Sequence, residues 1–312
     1  MNLVFLDAKT IGDDIDLSPF DRFGQVTKYS FSTSSEVPKR VKDADVLIIN
    51  KIPINESTIG SAERLKLVCV TATGTNNLDK EYLDKRGIAW RNVAGYSTES
   101  VAQHTFAMLF YLLEHLRYYD DYVKNDHYTN DTMFTHFAKH FHELKGKTWG
   151  ILGLGNIGRR VASIAEAFGT KVIYASPSGA KPQDGYTQVD LDTLYRTSDI
   201  ISVHAPLNAH TEHLIDANAF SKMKDSCIFL NLGRGAIVVE QDLLTALNED
   251  QIQAAGLDVL DIEPMSEKSP LRGFKDSSRL LITPHVAWAS VEARTRLMKI
   301  ICEQIQDYFQ IN

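Results

Sequence analysis

Residues 149–152 (Trp-Gly-Ile-Leu) run directly into Gly153-Leu154-Gly155-Asn156-Ile157-Gly158, and a helical pattern from Arg159 to Phe168 follows. A GxGxxG string alone is weak evidence, but one that leaves a strand and opens a helix marks a dinucleotide site. Gly153 permits the tight turn, Gly155 lets backbone approach a pyrophosphate, and Gly158 lets helix and strand pack closely. The helix start then offers unpaired N–H groups and partial positive charge to the anion. All six residues, Leu154, Asn156 and Ile157 included, are read as cofactor-binding. The next strand, 171–175, ends in Ser176, 18 residues after Gly158, where an aspartate would accept hydrogen bonds from the adenosine ribose. Serine removes the carboxylate that would repel a 2′-phosphate, and Lys181 is placed to reach one, but no arginine follows. NAD and NADP both stay open.

The rest of the chain fits a protein built around such a unit. Its 312 residues suggest two domains, and 44% hydrophobic with 23% charged residues is an ordinary globular composition. No apolar run approaches the roughly 18 residues of a membrane span. The first residues read as a strand that starts at once, not as an export signal. Cys69, Cys227 and Cys302 form no CxxC pair and no disulfide framework, so a reducing cytoplasm is expected, with Cys227 structural within its strand. A net charge of −7 argues against a nucleic-acid partner.

Apolar runs at 3–6, 46–49 and 67–70 alternate with helix-compatible stretches at 36–43 and 56–64, and this first α/β unit ends near 88–90. Runs apolar on both faces predict a parallel sheet covered on both sides. Ser97 or Thr98 can cap a long helix that carries Ala102, Phe106, Leu109, Phe110 and Leu113 at helical spacing. Residues 125–142 show no period and read as an irregular crossing segment. Beyond Lys145-Gly146-Lys147, six strand candidates follow at 149–152, 171–175, 200–204, 227–230, 254–259 and 280–282. Repeated βα units predict an α/β fold with doubly wound parallel sheets.

Three later segments each end a strand with polar residues: Asn231-Leu232-Gly233-Arg234-Gly235, Asp258 with Asp261-Ile262-Glu263-Pro264 beyond it, and Thr283-Pro284-His285. In an open α/β sheet, ligands bind beyond the carboxyl ends of the strands, so these segments converge on the dinucleotide edge. Arg234 offers a planar fork for a carboxylate. His285 can exchange a proton near neutral pH, and Glu263 against it would favour imidazolium and fix its orientation. Singly, Arg234 reads as a surface ion pair, Glu263 as a loop residue and His285 as a core histidine. As an ordered set, they read as catalytic groups for hydride transfer to an α-keto acid.

These stretches, with Asn92-Val93-Ala94-Gly95-Tyr96-Ser97-Thr98-Glu99-Ser100-Val101-Ala102, the run from Glu143 to Gly158, and Gly256-Leu257-Asp258-Val259, resemble the D-isomer-specific 2-hydroxyacid dehydrogenases, of glycerate dehydrogenase/hydroxypyruvate reductase type. The resemblance spans most of the chain in family order. It implies two Rossmann-like domains, with an NAD(P)-binding domain at 98–286 inserted into a substrate-binding domain formed by 1–97 and 287–312. It implies that Arg234 holds the substrate carboxylate and polarises its keto group, that His285 donates the proton with Glu263 as partner, and that Asp258 lies near the nicotinamide carboxamide. Backbone at Ala72, Thr73, Gly74 and Thr75 would bind the substrate carboxylate. His204, Ala205, Pro206 and Thr211, with Leu232 and Gly233, would line the cofactor cleft. The helix near Ser97 would mediate a homodimer, residues 131–136 would form a lid, and the helix from about Val291 would return to the first domain.

The expected substrate is a small 2-keto or 2-hydroxy acid, hydroxypyruvate/D-glycerate first and pyruvate or glyoxylate next. The absence of Lys and Arg from 72–77 weakens a phosphorylated substrate. The alternative is a non-enzymatic dinucleotide-sensing regulator of the corepressor type. A formate dehydrogenase would carry Gln at position 263. His136, His140 and His142 cluster, two of them at i,i+4, but no HExxH and no nearby Cys accompany them, so no metal site is assigned. Tyr111, Tyr118, Tyr119 and Tyr122 are read as interface packing.

Overall fold

Val46–Ile49 and Leu67–Val70 are buried at every position, as strands covered on both faces must be. Each such aliphatic side chain contributes about 1.5–3 kcal/mol on burial. In the computed structural model, which describes residues 1–179 and 185–311, the chain divides into two units, Met1–Ser97 with Ala289–Asn312, and Thr98–Trp288. The second junction lies two residues beyond the expected 286/287. The reason is local: the amides of Val286 and Ala287 both donate to the Asp258 carboxylate at 2.9 Å, which ties them to the second unit.

The first unit holds five parallel strands, β1 (Asn2–Phe5), β2 (Gln25–Lys28), β3 (Val46–Ile49), β4 (Leu67–Val70) and β5 (Ala89–Arg91), in the order β2-β1-β3-β4-β5. β2 has no counterpart in the sequence reading. It is an edge strand without a buried residue, so it lacks the apolar run that marks its neighbours. The expected helices at 36–43 and 56–64 shrink to Val37–Arg40 and Glu56–Ile59. The helix Val291–Phe309 belongs to this unit, with Ser290 as N-cap accepting from the Ala293 amide at 3.2 Å.

The second unit holds seven parallel strands, β6 (Thr148–Leu152), β7 (Lys171–Ala175), β8 (Thr187–Gln188), β9 (Ile200–Val203), β10 (Ile228–Asn231), β11 (Ala254–Leu257) and β12 (Leu280–Ile282). Their order, β12-β11-β10-β9-β6-β7-β8, reverses direction between β6 and β9. That reversal is the topological switch point at which doubly wound sheets bind ligands. The sequence reading found six of these strands; the two-residue edge strand β8 is too short to show a pattern.

The helix Thr98–Leu113 buries Val101, Ala102, Phe106, Leu109 and Leu112 in one core with Trp149, Val161, Ala162 and Ala165. Phe106 and Trp149 meet with ring centroids 4.9 Å apart. Beyond a second helix, Leu116–Lys124, and a short turn, Tyr128–Asn130, the crossing segment has no regular structure.

Candidate active site

The glycine loop shows three distinct uses of glycine. Gly153 has φ +93°, and a Cβ there would meet Ala205 backbone; a Cβ on Gly158 would meet the Gly153 carbonyl. A Cβ on Gly155 would meet nothing within 4 Å. The first and third glycines are therefore fixed by packing. The second leaves open backbone at the start of the helix Asn156–Ala167, whose first turn receives no side-chain cap. That is the arrangement a pyrophosphate requires.

Across the switch point, His204 follows β9. Its Nε2 lies 3.1 Å from Ser202 Oγ, which accepts from Trp149 Nε1 at 2.9 Å. His204 Nδ1 is buried and has no partner among the described residues, an unpaired polar atom of the kind a bound ligand satisfies. These residues fit a dinucleotide. Thr211 is buried and braces the loop from inside, donating to Pro206 O at 2.7 Å and accepting from the Asn208 amide at 2.8 Å. Its hydroxyl thus supports the loop that runs on from His204. Ser176 ends β7, while Lys181 lies outside the described residues.

Burial pushes the His204 imidazole down to about 3. The unfolded chain, with an ordinary histidine near 6.5, takes up this proton before the folded chain does. Stability is therefore lost as pH falls below 6.5 toward 3, by about 1.4 kcal/mol per pH unit. Urea midpoints at about pH 7 and pH 5 should show a smaller acid loss for His204→Gln than for wild type. Equal losses would remove His204 as the cause.

The catalytic candidates sit at the carboxyl edge of β10, β11 and β12, where Asn231 pairs with Leu257 and Leu257 with Ile282. Buried Asn231 shapes the turn that carries Arg234: its Oδ1 accepts from the Gly233 amide and its Nδ2 donates to Arg234 O, both at 3.0 Å. Arg234 Nη1 donates to Gly233 O at 2.8 Å, which fixes the guanidinium plane. A Cβ on Gly235 would overlap the backbone of Leu260 and Asp261, so glycine lets the arginine turn press against the loop that carries Glu263.

That loop is braced in turn by Glu240, which accepts from the Asp261 amide at 3.0 Å and Ser269 Oγ at 2.8 Å. Glu263 Oε1 accepts from the Leu260 amide at 3.0 Å, and Oε2 lies 2.7 Å from His285 Nδ1. Nε2 is thereby the ring nitrogen left to face a reacting group. His285 has φ +54°, a left-handed conformation that is uncommon for a residue with Cβ and clusters at functional sites.

Asp258 supplies the reason this conformation holds. Its side chain is 2% exposed and accepts from Thr283 Oγ1 at 2.6 Å and from the Val286 and Ala287 amides. The carbonyl of Asp258 accepts from the His285 amide at 2.8 Å. His104, on the long helix, adds an Nε2 contact of 3.1 Å to Thr283 Oγ1. His104 carried no distinct signal in the sequence, since Glu99, Ser100, Gln103 and Thr105 are also polar positions in the same part of that helix. Leu232 and Ala205 are buried behind the same edge.

In the first unit, Ala72, Thr73 and Gly74 follow β4. The loop is pinned by Thr73 Oγ1 donating to Val93 O at 3.0 Å and Asn92 Nδ2 donating to Thr73 O at 2.7 Å. Among the described residues, no acceptor pairs with the amides of Thr73, Gly74 or Thr75. The histidine cluster is not helical: His136 stacks on Tyr122 with ring centroids 3.8 Å apart and accepts or donates at Nε2 with Tyr118 OH, 2.8 Å away. Among the described residues, no group of three or more His, Cys, Asp or Glu is placed to hold a metal ion. Cys69, Cys227 and Cys302 are free and buried.

A doubly wound parallel sheet with this glycine loop and a Glu–His pair at its carboxyl edge defines a dinucleotide-dependent oxidoreductase. The profile of the D-isomer specific 2-hydroxyacid dehydrogenase, NAD binding domain, matches residues 106–287. A hydroxypyruvate reductase from Blautia hydrogenotrophica is 34% identical over 99% of this chain and 97% of its own length. A glycerate dehydrogenase from Methylorubrum extorquens is 35% identical over 98% of this chain and 94% of its own. The solved structure of an acyclic imino acid reductase with NADPH and D-Arg covers 99% of this chain and 97% of its own, at a TM-score of 0.87 and 29% identity. The chain belongs to the D-isomer specific 2-hydroxyacid dehydrogenase family, NAD(P)-dependent oxidoreductases that interconvert 2-keto and 2-hydroxy acids.

Proposed function

We propose that this protein reduces hydroxypyruvate to D-glycerate, with pyruvate or glyoxylate as the next candidates. The observation that carries the acid–base part is the 2.7 Å pair between His285 Nδ1 and Glu263 Oε2. Glu263 holds the ring so that Nε2 gives its proton to the carbonyl oxygen of the keto acid. When bound, the nicotinamide supplies the hydride that completes the reduction. Arg234 binds the substrate carboxylate through its fork and polarises the keto group. The amides of the 73–75 loop, which have no acceptor among the described residues, are donors suited to a carboxylate, and they support reading the first unit as the substrate-binding domain. Asp258 is primarily a positioning residue for His285, its Oδ1 held by Thr283 Oγ1 and the Val286 amide and its Oδ2 by the Ala287 amide, and this reading sets it near the nicotinamide carboxamide.

The reading extends to assembly. Phe134 is 90% exposed and Phe137 70%, close in sequence to exposed Met133 and Phe141. Apolar exposure of this kind marks an interaction surface, and we assign it to a homodimer that also orders residues 131–136. No helix is long and apolar enough to cross a membrane among the described residues, and three free buried cysteines suit a reducing cytoplasm.

A spectrophotometric panel of hydroxypyruvate, pyruvate, glyoxylate and a phosphorylated keto acid tests the substrate, with NADH and NADPH in parallel. Hydroxypyruvate should give the highest kcat/KM. A phosphorylated acid leading the panel, or no turnover of any acid by protein that binds NADH, would overturn the assignment.

A further inference from the structure

β7 and β8 run parallel in the register Ile173↔Thr187 and Tyr174↔Gln188, and the Val189 amide donates to Tyr174 O at 2.9 Å. Extended by two residues, that register sets Asp190 beside Ser176 at the carboxyl edge of the sheet. This is the half of a doubly wound sheet that takes the adenosine end of a dinucleotide. Both residues line one cavity of about 620 Å³, together with Gly179, Gln188 and Thr193. The Asp190 carboxylate is held in place as the N-cap of the helix Leu191–Thr197. Its Oδ1 accepts from the Thr193 amide at 2.7 Å and its Oδ2 from Thr193 Oγ1 at 3.0 Å. Those bonds, the backbone one foremost, keep its pKa below the ordinary carboxylate value, so it stays charged at working pH. Each oxygen retains acceptor capacity beyond them.

We propose that Asp190 sets cofactor choice: its fixed carboxylate repels the 2′-phosphate of NADP and accepts hydrogen bonds from the ribose hydroxyls of NAD. A neighbouring strand thus supplies the acid that Ser176 does not. The proposal rests on the family assignment of this unit as an NAD(P) domain, and it leaves the identity of the keto acid aside.

The test reads binding separately from turnover. Dissociation constants of NADH and NADPH are measured on the full chain by nicotinamide fluorescence at fixed ionic strength. Wild type should bind NADH at least about tenfold more tightly than NADPH, as expected for like charges facing each other in a partly solvated site. Asp190→Asn keeps a good N-cap and removes only the charge, and should shift the ratio toward NADPH by about tenfold. Asp192→Asn is the control for net charge, since that exposed acid pairs with Arg196 and Lys222 outside the cavity; it should leave the ratio unchanged. Tighter NADPH binding by wild type overturns the proposal, as does a ratio that Asp190→Asn moves no further than Asp192→Asn. The expected binding ratios without turnover of any keto acid would support Asp190 and sink the substrate assignment instead.

Discussion

Arg234→Ala is expected to lower kcat/KM for hydroxypyruvate about 10²–10³-fold while leaving NADH binding largely intact. The guanidinium is the cationic fork that the 231–235 turn delivers to the carboxyl edge, and its Nη1 bond to Gly233 O holds it there. The turn itself survives the substitution, because Asn231 bonds to the main chain of residues 233 and 234 and not to the arginine side chain. Loss therefore falls on the substrate and not on the sheet edge. Arg234→Lys should recover little, since an ammonium cannot present two parallel donors to a carboxylate. Steady-state kinetics with NADH fluorescence titration separates the two effects. Unchanged turnover in Arg234→Ala would remove the arginine from the site.

His285→Ala should abolish keto-acid reduction across the range of about pH 5 to 9, a loss of at least about 10²–10⁴-fold. Thermal unfolding of the variant controls for the fold, because alanine at φ +54° keeps the strain but loses the Glu263 contact. Glu263→Gln should fall between wild type and His285→Ala: the amide can still accept from Leu260 but no longer fixes the ring with a charge. A bell-shaped pH profile that persists in His285→Ala would show that another residue supplies the proton.

Which parts of this could be read from the chain follows from how local each feature is. The glycine loop is local in sequence and in space, so its three spacings carry their own geometry. Buried runs such as Val46–Ile49 are equally legible, since burial on both faces leaves no polar position. Strands β2 and β8 were illegible for the opposite reason: edge strands expose side chains, and β8 has two residues. Helix propensity overstated 36–43 and 56–64, where the packed part is a single turn. The bond from the Thr211 hydroxyl to Pro206 O, inside its own loop, could not be read from the chain either, because it depends on how that loop folds back on itself.

The sequence by itself determined the class: a strand, a GxGxxG turn and a helix, then Arg, Glu and His at successive strand ends. The residue types for hydride transfer with proton donation are present in order, and order is all that a doubly wound topology needs to bring them to one edge. Only the tertiary structure decided how they are held. The 2.7 Å contact of His285 with Glu263, the Asp258 carboxylate gathering Thr283, Val286 and Ala287, and the register that sets Asp190 beside Ser176 all join residues distant in the chain. Hydrogen bonds act over about 3 Å and sheet neighbours over about 5 Å, whatever their separation in sequence. Such distances exist only after the strands have paired.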